Sequence, residues 1–372
     1  MKWSWELGRI AGIRIRMHWT FLLLLAWVAF SYAAADGGWI AAARGVGFIL
    51  AVFGCVVLHE LGHAVTARRY GVTTEDITLL PIGGVARMQR MPTEPMHEFW
   101  IAIAGPAVNV VIAAVLFAGL FAAYGLGAVT TEPSFSTSFF VNLMWVNVAL
   151  VLFNVLPAFP MDGGRILRAL LATRMDYRQA TNIAASLGQM MAILFGVAGF
   201  FVNPLLLFIA LFVYMGAEAE AQTVDLRETL RDVVVGDAML TRFEILHPET
   251  TIQQAIDQLL AGSQHEFPVV DETGYRGLLR REDLAGGLKQ YGAAASIRDV
   301  FTVTTETCRE SDRLNDTLER MQQLGCQTLP VLRDGQIVGL VTLDNIAELI
   351  MVRHATQGRQ ASTAPLDTVQ AA

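Results

Sequence analysis

Charge is what this sequence has least of. Only 16% of its 372 residues are Asp, Glu, Lys or Arg, against about 25% in an average soluble domain, so the chain as a whole is not an ordinary water-soluble protein. Cysteine is nearly missing too, with Cys55, Cys308 and Cys326 making three. That excludes a disulfide framework and, without any Cys-x-x-Cys spacing, a cysteine-ligated zinc module. Each of the three reads as a small buried hydrophobe. Basic residues are scarce in the second part of the chain: residues 218–372 hold 14 basic and 24 acidic side chains, whereas residues 1–217 hold 13 and 10. An acidic tail argues against nucleic acid as its partner. What is abundant is apolar, at 53% hydrophobic residues. The first part therefore reads as membrane and the second as a soluble acidic tail.

Uncharged or nearly uncharged runs predict six spans, over 19–35, 45–67, 99–124, 139–156, 179–202 and 204–217, the last two parted at Asn203-Pro204. Ala33-Ala34-Ala35 resembles a signal-peptide cleavage site. The leader before it is long and more spans follow, so the first span is expected to be retained, with His18 at its mouth as an interfacial residue. Residues 9–17 alternate at their end like a short strand, and 72–86 read as strand, turn, strand around Pro81 and Gly83-Gly84. Such a hairpin either accepts a substrate strand at its edge or is a plain re-entrant or surface hairpin. Arg9, Arg14 and Arg16 precede the first span. Arg68, Arg69, Arg87 and Arg90 separate the second from the third, and Arg165, Arg168, Arg174 and Arg178 separate the fourth from the fifth. The alternate loops carry little, Glu132 among it. The expectation is a multi-pass protein of the cell membrane with both termini cytoplasmic.

Inside the second run stands His59-Glu60-Leu61-Gly62-His63. On a helix the two histidines are one turn apart on one face and both imidazoles can reach one ion. Glu60 is then placed to act as general base toward the attacking water. The alternative is a satisfied polar pair between packed helices, but two His and a Glu are costly in an apolar segment. The fourth run ends in Asn154-Val155-Leu156-Pro157-Ala158-Phe159-Pro160-Met161-Asp162-Gly163-Gly164. The prolines break the helix, so Asp162 is expected to leave on irregular backbone at the depth of the histidines. Two His, one carboxylate and an open position form a catalytic zinc set; the competing reading is an Asp-Gly turn with no metal.

His-Glu-x-x-His in one span, followed by Asn-x-x-Pro-x-x-x-x-Asp-Gly at the end of a later one, resembles the site-2 protease family of intramembrane zinc metalloproteases. Pro81-x-Gly83-Gly84 and Gly105-Pro106-x-x-Asn109 are similar to that family as well. The resemblance implies one zinc per chain on His59, His63 and Asp162, Glu60 as base, and Asn154 positioning or polarising the scissile peptide. It also implies a single-span membrane protein as substrate.

The soluble part repeats itself. Phe267-Pro268-Val269-Val270 returns as Leu329-Pro330-Val331-Leu332, Gly277-Leu278-Leu279 as Gly339-Leu340-Val341, and Asp237-Ala238-Met239 as Asp299-Val300-Phe301, each 62 residues later. Each copy reads strand, amphipathic helix, two strands, helix. This resembles a tandem pair of cystathionine-β-synthase (CBS) domains, which implies an adenine nucleotide in a cleft. The ribose-contacting pattern Gly-x-x-Thr/Ser-x-x-Asp is half kept in each copy: Asp283 stands with Arg280, and Thr342 stands with Asn345. The pair is expected either to bind nucleotide at Asp283 and Thr342 or to serve dimerisation or substrate docking.

The predicted fold is thus a polytopic α-helical membrane protein with short β segments, followed by an α/β CBS pair. The expected domains are a metalloprotease domain over 1–220, the linker and first CBS domain over 221–296, the second over 297–356, and a disordered end over 357–372. The expected activity is hydrolysis of a peptide bond within or beside a membrane span, modulated by the CBS pair. The rival expectations are a nucleotide-gated transporter or channel, and an inactive relative that only binds membrane proteins.

Overall fold

The computed structural model describes residues 3–36, 38–88, 94–129, 138–303 and 306–362. The chain divides into two compact units, Met1–Val224 and Asp225–Ala372. The first unit opens with β1 (Ser4–Ile10), β2 (Ile13–His18), α1 (Trp19–Asp36) and α2 (Trp39–Arg69), followed by β3 (Thr74–Leu80) and β4 (Gly83–Met88). It continues with α3 (Pro95–Tyr124), a single turn α4 (Leu126–Val129), α5 (Phe139–Asn154), α6 (Asp162–Ala172), α7 (Tyr177–Phe201) and α8 (Leu205–Thr229), whose closing turn lies in the second unit.

Four helices, α2, α3, α7 and α8, are long and apolar enough to cross a membrane, while α1 and α5 are apolar but shorter. At 1.5 Å per residue the 16 residues of α5 reach about 24 Å, short of a hydrocarbon core of roughly 30 Å. The last expected run, 204–217, belongs to a helix that continues to Thr229. Polarity in this unit is turned inside out. Phe30, Phe200, Phe201 and Phe208 are exposed, while His59, His63, Glu98, Asn109, Asn147 and Arg168 are buried. Water would not favour such a surface, but hydrocarbon does.

The strands form one sheet in the order β1-β2-β3-β4. The pairs β1–β2 and β3–β4 are antiparallel hairpins, joined by parallel pairing of β2 with β3. Ile13, Ile15 and Ile77 pack beneath it on Leu61 and Ala64 of α2, which seats the sheet on the motif helix. Asp76, buried in β3, meets Arg16 at 3.6 Å and Arg87 at 3.8 Å. Arg90 and Glu132, both used in the charge argument, lie outside the described residues. Arg168, counted there as a loop cation, is fully buried against carboxylates, so one of the four charges between the fourth and fifth spans is not a free surface charge.

The second unit carries α9 (Val235–Ala238), α10 (Ile252–Ala261), hairpin β5–β6 (Glu266–Asp271 and Gly274–Arg280), α11 (Arg281–Tyr291), α12 (Leu314–Leu324), hairpin β7–β8 (Thr328–Arg333 and Gln336–Thr342) and α13 (Leu343–Ser362). Thr251 and Gln254 cap α10 reciprocally, at 3.3 and 3.0 Å. The two copies exchange their leading segments. Leu240 bridges Leu340, and its repeat equivalent Thr302 bridges Leu278. Val235 is buried in the core of the second copy, and its equivalent Ile297 in the core of the first. The expected disordered end begins inside α13, which runs on to Ser362; residues 363–372 lie outside the described residues.

The cysteines differ more than the sequence suggested. Cys308 is a buried hydrophobe whose thiol burial pushes up to about 12. Cys326 is half-buried, and Cys55 accepts a hydrogen bond from the Asn147 side chain at 3.4 Å.

Candidate metal centre

Helix α2 holds His59 and His63 one turn apart, with ring centroids 4.7 Å apart and planes at 83°. Their Nε2 atoms are 3.1 Å from each other. The chain after α5 breaks at Pro157 and Pro160, the Phe159–Pro160 peptide being cis, and brings Asp162 back toward them. Asp162 Oδ2 lies 3.1 Å from His59 Nε2 and 3.2 Å from His63 Nε2. Asp162 is not on irregular backbone as expected but is the first residue of α6, where the helix dipole favours a negative charge.

The other ring nitrogens settle the tautomers. His63 Nδ1 lies 2.7 Å from the carbonyl oxygen of Ile101; a carbonyl can only accept, so Nδ1 carries the proton. For His59 the deduction runs through two amides. Asn147 Nδ2 donates to the carbonyl of Leu143 at 2.9 Å, which leaves Asn147 Oδ1 to accept from Asn109 Nδ2 at 2.8 Å. Asn109 Oδ1 then accepts the His59 Nδ1 proton at 2.5 Å. In its neutral form each imidazole therefore turns an Nε2 lone pair toward the Asp162 carboxylate. Three lone-pair donors so close repel one another unless a cation sits among them. The His-His-carboxylate donor set suits zinc, and the partners on Nδ1 are the kind that orient metal-binding histidines.

Space for this cluster comes from α3. A Cβ on Gly105 would stand 2.7 Å from His59 Nε2 and nearer still to His63 Nε2. Gly62 of α2 faces α3 in the same way, where a Cβ would meet the Ala104 carbonyl oxygen at 2.8 Å. Glu60 is half-buried and lies beside β4: a Cβ on Gly84 would be 3.0 Å from Glu60 Cγ and 3.5 Å from its Oε1. Asn154 closes α5, half-buried. Among the described residues it takes no part in the hydrogen bonds that orient the three donors. His18 bonds to Thr20 at 2.8 Å.

Several of these partners escape sequence reasoning. Asn109 lies in the Gly105-Pro106-x-x-Asn109 stretch, which by itself assigns it no role, and no local pattern marks Asn147. Buried Glu98 and Arg168 form a network with half-buried Tyr177 and Glu220 that no sequence spacing announces. The signal available was polarity inside apolar segments, which in a membrane marks a partner or a function.

In the second unit, Thr342 and Asn345 line a cleft of about 1130 Å³, together with Gln258, Gln264 and Glu266. Asp283 is not on its wall. The Asp283 Oδ2 atom accepts from the Arg280 backbone N–H at 3.2 Å and the Thr302 hydroxyl at 3.3 Å. The two expected nucleotide contacts are thus in different places. Burial pushes the Glu266 carboxyl up, and its Oε2, like Gln258 Oε1, is buried without a protein partner.

Comparison with known proteins fits both units. Peptidase family M50 matches over residues 47–137 and 129–196, and the CBS domain over 235–289 and 297–352. The zinc metalloprotease MJ0392 of Methanocaldococcus jannaschii is 33% identical over 356 residues, 95% of this chain and 97% of that protein. The putative zinc metalloprotease Rip3 of Mycobacterium tuberculosis is 31% identical over 390 residues, 97% of this chain and 96% of its own. The solved site-2 protease of M. jannaschii is 38% identical and covers 59% of this chain and 95% of its own, with a TM-score of 0.44. With relatives this similar along nearly its whole length, the chain belongs to the M50, or site-2 protease, family of intramembrane zinc metalloproteases and carries a tandem CBS pair.

Proposed function

We propose that His59, His63 and Asp162 hold one zinc per chain, and that the enzyme cuts a single-span membrane protein within or beside its span. The observation that carries this reading is the convergence of three donor atoms, two of them imidazole nitrogens oriented from behind by Asn109 and Ile101. Bound there, zinc supplies a Lewis acid that makes water more acidic and polarises the scissile carbonyl. Glu60 accepts the proton of the attacking water and delivers it to the leaving amine. Asn154 donates to the substrate peptide. Among the described strands β4 is paired with β3 alone, and its other edge takes the substrate backbone as an added strand next to Glu60. An extended substrate suits the chemistry, because a helical peptide shields its carbonyl.

In proteoliposomes holding a single-span substrate, cleavage is expected to stop on chelation and to return with added zinc. Elemental analysis should find about one zinc per wild-type chain and almost none in a His59→Ala, His63→Ala double variant. Full zinc in that variant ends the ligand assignment. The reading also takes both termini as cytoplasmic, on the strength of the Arg residues flanking alternate spans. A reporter fused after residue 220 that reads as extracytoplasmic overturns this orientation.

The CBS pair is read as a regulatory module that binds an adenine nucleoside in the cleft beside Thr342. Glu244, Glu266, Asp344 and Glu348 outnumber Arg242 on its wall. Added phosphate groups therefore oppose binding, and adenosine is expected to bind more tightly than AMP, and AMP more tightly than ATP. Thr342→Ala should weaken adenosine about fivefold, the worth of one hydrogen bond, and Asp283→Ala should not. Calorimetry on the detergent-purified full chain reads this order. No heat from any of the three leaves the pair as a docking or dimerisation module.

A further inference from the structure

Arg168 is fully buried and takes no direct part in the metal cluster, yet from α6 it reaches both α3 and the segment that leads into Asp162. It lies on α6, the helix that begins with Asp162. Its Nε and Nη2 donate to Glu98 Oε1 at 2.9 and 2.5 Å. Glu98 belongs to the first turn of α3, the helix that supplies the Ile101 carbonyl, the gap at Gly105 and the Asn109 amide. The Tyr177 hydroxyl of α7 donates to the other Glu98 oxygen at 3.1 Å, and Arg168 Nη1 donates to Glu220 of α8 at 2.7 Å. The guanidinium carbon lies 4.7 Å from the Phe159 ring centroid and 4.9 Å from that of Tyr177. Phe159 is in the segment that leads into Asp162, so one guanidinium grips the chain on both sides of that carboxylate.

The surrounding glycines make this grip stiff. A Cβ on Gly164 would meet the Phe159 backbone nitrogen at 2.5 Å, and one on Gly188 of α7 the Phe159 carbonyl at 2.6 Å. The segment is thus pressed backbone to backbone between α6 and α7. The imidazoles are oriented from α3 and the carboxylate is delivered by α6, and the salt bridge from Arg168 to Glu98 joins those two helices directly. A buried guanidinium with two carboxylates and two ring faces is a costly arrangement for mere packing, which apolar side chains would do as well. Its forked donors fix an angle between partners that a point charge does not.

We propose that Arg168 is the positioning residue that seats Asp162 against the two imidazoles. The proposal rests on the reading of Asp162 as a metal ligand. Arg168→Lys separates charge from geometry, since Lys keeps the charge opposite Glu98 but lacks the planar fork. The metal-free full chain in detergent is titrated with cobalt(II) chloride, whose visible absorption reports coordination. Arg168→Lys is expected to keep a melting temperature within a few degrees of wild type, to raise the cobalt Kd about tenfold or more, and to alter the band shape. In zinc-loaded proteoliposomes kcat should fall while KM stays within about twofold, because the substrate's edge strand is untouched. The triple variant Arg168→Met, Glu98→Gln, Glu220→Gln removes the charges together and should show the same cobalt defect. Asp162→Ala is the control. If it leaves the cobalt spectrum unchanged, the ligand reading itself fails. If Asp162→Ala changes the spectrum and both other variants match wild type, only the positioning role is lost. A chain that unfolds on Arg168→Lys makes the network a stability element and ends the proposal.

Discussion

Glu60→Gln is expected to abolish cleavage while the metal stays in place. Gln matches Glu in size and can accept and donate hydrogen bonds, so the turn of α2 that carries His59 and His63 has no reason to move. What it lacks is a basic oxygen. A positioned general base contributes about 10²–10⁴-fold; a half-buried carboxylate that both takes the proton of water and returns it to the amine works at two stages, so a loss near the upper end is expected. Zinc content by elemental analysis should stay at about one per chain, because none of the three donors is altered. The pairing of full metal with lost turnover separates a missing base from a collapsed site. Cleavage by the Gln variant at the wild-type rate removes Glu60 from the chemistry.

Gly105→Ala is expected to be as damaging for the opposite reason, by taking the metal away and leaving the base. One added methyl would stand 2.7 Å from His59 Nε2 and press harder on His63 Nε2. The rings cannot back away without giving up the bonds at their far nitrogens, to Asn109 at 2.5 Å and Ile101 at 2.7 Å. Overpacking of this kind costs about 1–3 kcal/mol, and here the relief is rotation of an imidazole out of the cluster. Zinc affinity should drop by about 100-fold or more, at the top of the range for disturbed metal environments, with cleavage falling in parallel. Gly119→Ala, on the same helix, has nothing within 4 Å of the new carbon and should leave both unchanged. A Gly105→Ala protein that holds zinc as tightly as wild type would show that the imidazoles are placed differently from this arrangement.

The parts of the site that were legible in the sequence are those fixed by local spacing. His59 and His63 follow from a helical turn, and Asp162 from a span end at matching depth. Asn147 was not legible, because its importance lies in what it holds across 38 residues, the Asn109 amide. Arg168 was misread for a related reason. An arginine just beyond an apolar run looks like a cytoplasmic charge, and only the return of Glu98 and Glu220 from distant helices turns it inward. The 62-residue repeat was plain, yet repetition says nothing about which copy receives the leading segment. Both copies carry the same pattern, so either pairing satisfies it. The halves of the nucleotide motif could likewise be found by pattern, but not that Thr342 faces a cleft while Asp283 caps its own helix.

The exchange of leading segments bears on how the soluble part is made and inherited. A ribosome that has delivered the chain only as far as residue 296 has yet to supply Ile297, Val300 and Phe301, on which the first copy closes. By then Leu230, Val233 and Val235 have long been out, waiting for a second copy that does not exist yet. Neither copy can become compact in turn, so they condense together, after synthesis of both and through contacts distant in sequence. The same geometry constrains gene rearrangement: a break at the repeat boundary leaves two open cores, whereas a break before Leu226 carries away a complete module. Recombination can pass this pair from protein to protein but cannot halve it.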